Sequence, residues 1–123
     1  HLKMLLCNPF IEFCRLLWDF ISQNHPGKYD IFPKVRLLDL ADTKYKINHN
    51  KIASKHVDFL IVDQTKHCTP VLAIELNWAS HETEHMKERD EFVGEFFKII
   101  KIPLVTIQNE EIHHASEEIS KYL

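Results

Sequence analysis

Two acids stand where apolar strands should not have them. Asp58 lies within His56–Asp63 (HVDFLIVD) and Glu75 within Thr69–Asn77 (TPVLAIELN), two short apolar runs separated by a turn. In the second run, period-two geometry sends Val71, Ala73, Glu75 and Asn77 to one face and Leu72, Ile74 and Leu76 to the other. A carboxylate in such a run, left unpaired, costs roughly several kcal/mol, so each acid calls for a cation, a metal or hydrogen-bond donors. Acids on neighbouring strands could share one divalent ion. They could also be structural, each paired with Arg36 or a lysine.

The surrounding charge is uneven. Net charge is −3, which argues against a strongly basic nucleic-acid binder. Residues 1–66 nevertheless hold ten Lys/Arg against seven Asp/Glu, and residues 67–123 five against eleven. The basic residues crowd into Lys44, Lys46, Lys51 and Lys55, with His49 and His56 beside them, just ahead of Asp58. A basic loop beside an acidic pocket suits a phosphodiester substrate with a bound cation, and a solvated loop explains it as well.

A second motif overlaps the region. His81-Glu82-Thr83-Glu84-His85 matches HExxH, in which two histidines one helical turn apart hold zinc and the glutamate acts as base. That motif needs apolar flanks and a third ligand downstream. Here Lys87, Glu88 and Arg89 follow it, in a chain already rich in His and Glu, so a chance match is the simpler account. The other histidines, His113 and His114 among them, read as surface residues. The cysteines (Cys7, Cys14, Cys68) lack CxxC spacing; Cys7 and Cys14 fall two helical turns apart, as core packing in a reducing, cytoplasmic compartment would have them.

The elements that must position the acids follow in order. At 123 residues, 45% hydrophobic and 27% charged, the chain makes one domain (1–123) with one core, and its opening His, where Met is expected, reads as a trimmed fragment of a longer chain or as a cloning remnant. It has no apolar run of about 18 residues for a membrane span, and no signal-peptide pattern. Pro9–Ser22 carries a helical stripe (Phe10, Phe13, Leu16, Leu17, Phe20, Ile21) with Asn8 as cap, broken at residues 24–27, NHPG. Tyr29–Leu38 reads as a strand in which Pro33 argues for an edge or a bulge. Asp39–Ser54 is a polar loop with room for a helical turn. After the two acid-bearing strands, a helix capped by Ser80 or Thr83 runs to about Lys101, with Met86, Phe92, Val93, Phe96, Phe97 and Ile100 inward. Ile102–Ile107 is a buried strand, Gln108–Glu111 a turn, and Ala115–Leu123 a last amphipathic helix. The helix between the third and fourth strands implies a crossover packed on a mixed sheet.

Together the pieces K-x-VDFLI-x-D, PVLAIEL-x-x-x-SH, RDEFV and IPL, with FPKVRL ahead of them, resemble the PD-(D/E)XK nuclease superfamily. The likeness is closest to the bacterial domain of unknown function 2726, grouped near the very-short-patch-repair endonucleases, and it spans the first helix to Ile107. The resemblance implies a three-layer α/β restriction-endonuclease-like core, order αβββαβ with an extra C-terminal helix on a mixed four-stranded sheet. It also implies a Mg²⁺- or Mn²⁺-dependent site that hydrolyses phosphodiester bonds in DNA. Asp58 and Glu75 would be the metal ligands, since Mg²⁺ takes hard oxygen donors, commonly one or two carboxylates with waters and substrate phosphate.

By the same resemblance His81 is a base or a phosphate contact, and Arg89 of the Arg89-Asp90 pair clamps phosphate or fastens its helix to the sheet. Arg36 and Lys55, inside matched segments, bind substrate. Departures from the pattern are visible. Lys or Asp is usual two residues after the glutamate, where this chain has Asn77, an amide that can ligate but cannot act as a base. The first-helix glutamate of relatives would be Glu12. Lys101 replaces a glycine that follows the helix, where positive φ is often required. Lys87 or Lys98 could supply a lysine from elsewhere. Three functions stand: a metal-dependent DNA nuclease, a degenerate nuclease fold that binds nucleic acid or protein without cutting, and a zinc protease.

Overall fold

The computed structural model describes residues 9–41, 49–77 and 84–123. Helix α1 spans Pro9–Asn24; proline suits its first turn because the missing N–H would be unpaired there. Its stripe buries Phe13, Leu17 and Ile21. Asn24 closes the helix, its side-chain amide donating to the Phe20 carbonyl at 2.9 Å, and Gly27 makes the turn at φ 76°.

Strand β1 (Tyr29–Arg36) runs along the edge of the sheet, as Pro33 leads one to expect. It is shorter than the sequence pattern implies: Leu37 and Leu38 belong to a helical turn, α2 (Leu37–Leu40). The fully buried Leu37 still donates its N–H to the Lys55 carbonyl at 2.9 Å, continuing the strand register by one bond. A second turn, α3 (His49–Ile52), carries Ile52 into the core. Strands β2 (His56–Asp63) and β3 (Thr69–Asn77) have the bounds the sequence pattern implies. Between them Asp63 accepts from the Thr65 N–H at 2.9 Å, capping a 3-10 turn, and His67 and Cys68 both take positive φ.

Helix α4 (Glu84–Ile100) then crosses to β4 (Leu104–Gln108), a 3-10 segment covers Asn109–His114, and α5 (Ala115–Ser120) follows. The sheet order is β1-β2-β3-β4, with the first two pairings antiparallel and β3–β4 parallel. Such a parallel pair requires a crossover, and α4 is it.

The fold is a three-layer α/β arrangement with one apolar cluster on each face of the sheet. On one face α1, the second 3-10 segment and α5 cover Tyr29, Ile31, Phe59, Ile61, Leu72, Ile74, Leu76 and Ile107. On the other, α4 and the short α2 and α3 cover Val57, Leu60, Val62 and Ala73 with Val93, Phe96 and Phe97. Val71 does not share the face of Ala73. A bulge between Ile61 and Val62 in the β2–β3 register moves it against the α1 cluster.

Among the described residues no helix is long and apolar enough to cross a membrane. Cys14 is half-buried, with its thiol pKa raised by burial, and Cys68 is exposed; Cys7 lies outside the described residues.

Candidate functional site

Strict alternation would put Val57 on the same face as Phe59, and Val35 with Ile31. It does not hold. Val57 and Val35 pack in the α4 cluster, whereas Phe59 and Ile31 pack in the α1 cluster. Both strands change face at one point, and the two residues there oppose each other: Lys34 on β1, at φ 53°, and Asp58 on β2. The β2–β3 ladder also ends here, its last antiparallel pair being Phe59↔Ile74. Lost ladder bonds must be replaced when the groups are partly buried.

The two acids replace them. The Leu76 N–H donates to Asp58 Oδ2 at 2.7 Å, and the Asp58 N–H donates to Glu75 Oε1 at 3.1 Å. Each carboxylate thus accepts a backbone N–H from the other's strand, which brings the pair together where the sheet opens. Their outer oxygens meet cations from different elements. Lys34 Nζ lies 3.1 Å from Asp58 Oδ1, and Arg89 of α4 donates to Glu75 Oε2 at 3.2 Å.

Arg89 is held further by the His56 carbonyl at 3.1 Å and by Asp90 at 3.2 Å. It therefore fastens α4 to β2 and β3 while it neutralises Glu75. Lys34 makes the Asp58 bond and also lies 4.7 Å from the centre of the Phe10 ring, which stacks on Phe59.

Side-chain exposure of 16% at Asp58 and 14% at Glu75 leaves the pair mostly out of water. Burial, then the neighbouring Asp58 charge, push the Glu75 pKa up to about 7, against the opposing pull of Arg89. Two carboxylates this close favour a shared proton or a shared cation.

The other expected site residues are more dispersed. Asn77 ends β3 opposite Gln108 of β4, on the Glu75 side by alternation. Arg36 forms a bidentate pair with Asp39, at 3.0 and 2.8 Å, and reaches neither acid. Lys55 turns onto α4, 4.9 Å from the Phe92 ring, and bonds the Lys51 carbonyl. Glu12 faces His113 at 3.4 Å, on the α1 side. Lys98 pairs with Glu95 and Lys87 is exposed.

His81 and Glu82, with the cap candidates Asn8, Ser80 and Thr83 and the loop lysines Lys44 and Lys46, lie outside the described residues, as does the His85 side chain. Lys34 is the lysine that pairs with Asp58, a residue the sequence marks only by its place in FPKVRL beside Pro33.

A sheet covered by helices on both faces, with an acid pair where its two central strands part, defines a three-layer α/β domain with a candidate carboxylate site. The chain belongs to the family described as protein of unknown function (DUF2726), whose model matches residues 4–123. No curated protein and no solved structure gives a significant match.

Proposed function

We propose that the domain is a metal-dependent DNA endonuclease of the PD-(D/E)XK type, with Asp58 and Glu75 holding Mg²⁺ or Mn²⁺. The observation that carries this reading is the pair itself: two hard-oxygen donors on adjacent strands, drawn together at a break in the sheet and mutually repulsive. Each of the four oxygens accepts one hydrogen bond, which leaves a second lone pair on every one of them. The donor set therefore fits a hard cation. Among the described residues no group of three or more His, Cys, Asp or Glu surrounds it, so waters and substrate phosphate would complete the coordination, as Mg²⁺ commonly accepts.

Bound there, the ion would polarise the phosphodiester and acidify an attacking water. The protein's own part is to hold both carboxylates by backbone N–H groups, to keep Arg89 against Glu75, and to offer the Asn77 amide beside them. Arg36, Lys55 and Arg89 remain the proposed contacts to DNA, with His81 as an assisting group.

A second reading has its own support. Asn77 carries no charge and cannot take a proton, and each acid already has a cation within the chain. A fold that has kept the architecture but lost the reaction would look like this, and would bind nucleic acid or a protein without cutting. Metal-titration calorimetry separates the readings. A nuclease binds Mg²⁺ or Mn²⁺ and loses that binding in Asp58→Asn; no metal uptake, even with DNA present, overturns it.

A further inference from the structure

The two cations on the acid pair are held very differently. Arg89 is anchored by Glu75, Asp90 and the His56 carbonyl, and its side chain is 33% exposed. Lys34 has one hydrogen bond, to Asp58, and its side chain is 61% exposed. A solvated lysine on one carboxylate oxygen contributes little and leaves cheaply. Residue 34 takes φ 53° in mid-strand, where glycine would sit without strain, yet a lysine stands there.

We propose that Lys34 is an exchangeable counterion: it occupies Asp58 until a divalent cation takes that oxygen, and its ammonium then turns to a phosphate of the bound DNA. The inference rests on the metal-site reading above. It follows from charge and geometry together. Lys34 and a divalent cation cannot both sit on Asp58 Oδ1 without repulsion, and the Phe10 ring, 4.7 Å from the ammonium, gives that charge a second partner on the α1 side of the pair. One ion thus frees a positive charge next to itself, where a phosphodiester would need it. Arg89 keeps its place on Glu75, held by three groups.

Two variants test this, chosen so that folding does not decide the result. Lys34→Gly suits the positive φ, and Lys34→Met keeps an unbranched side chain while removing the charge. Mn²⁺ titration by calorimetry should show tighter binding in both, by about two- to fivefold, because no resident cation has to leave. Anisotropy titration of a duplex oligonucleotide with Mn²⁺ across a salt series should show weaker binding. The slope of log K against log salt should fall by about one phosphate contact. Lys34→Arg should restore that slope.

Equal Mn²⁺ affinity in wild type and both variants overturns the exchange while leaving the metal site intact. An unchanged salt slope overturns the phosphate contact. Absence of Mn²⁺ binding in wild type and variants alike overturns the metal-site reading itself, and this proposal with it.

Discussion

At the scale of single residues the domain is organised by an energetic conflict at Glu75. Its carboxyl is buried beside a second acid, and its pKa rises from 4.5 to about 7. A raised acid pKa means that the folded state binds the proton more tightly than the unfolded chain. The stabilisation is therefore complete below about pH 4.5 and is lost as pH climbs through about 7. Thermal unfolding followed from pH 4.5 to 8 should show a falling contribution, on the order of 3 kcal/mol in all, that is absent in Glu75→Gln. The same slope in both proteins would place the titration elsewhere.

Arg89 is the complementary case. Removing it leaves Glu75 without its cation and the His56 carbonyl without a donor, so Arg89→Ala should cost about 2–3 kcal/mol in denaturant unfolding. A surface substitution would cost far less. Much at this scale was hidden from sequence. Arg36 was an available partner for the acids, but a short-range Asp39 three residues on captures it. Lys34 became the partner of Asp58 through one left-handed residue, which no periodicity announces.

At the scale of elements, the strongest signals were the apolar runs and their punctuation. β2 and β3 were legible to the residue because apolar stretches end at turn residues. The crossover helix was legible because its stripe has helical spacing. What escaped was local: the β2–β3 bulge that moves Val71, the helical turn that takes Leu37 from β1, and the change of face at Lys34 and Asp58. The bulge and the change of face depend on pairing between strands, and the turn at Leu37 is closed by a local bond from the Ala41 N–H to the Leu37 carbonyl.

The end of α4 was anticipated. Lys101 has φ 62°, its N–H donates to the Lys98 carbonyl, and the Ile102 N–H donates to Phe97, a Schellman cap without the usual glycine. Lys101→Gly should relieve that conformation and stabilise the domain by about 1 kcal/mol, raising Tm by about 4 °C. A lower Tm would mean that the lysine side chain contributes more than the strain costs.

At the scale of the molecule, the sheet is shared by two apolar clusters, and the acid pair sits where strands pass from one to the other. Phe59 ties these features together. It is fully buried next to Asp58, with the Phe10 ring 4.6 Å and the Phe13 ring 5.3 Å from its own. Phe59→Ala should cost about 3–5 kcal/mol and loosen α1 from the sheet, seen as a lower denaturant midpoint. A midpoint within experimental error of wild type would show that α1 does not depend on that stack.

The three-layer order was readable from the alternation of element types, since a helix between two strands has few ways to pack. Of the candidate site, the sequence marks two misplaced acids and no more. Their convergence is a property of the folded sheet.

A metal site formed by this convergence should cut DNA, which plasmid nicking reads out. Supercoiled plasmid and single-stranded DNA would be incubated with Mg²⁺ or Mn²⁺, wild type beside Glu75→Gln. Wild type should nick the plasmid, and Glu75→Gln should not. Cleavage that persists in the variant, or no cleavage by wild type with either ion, would contradict it.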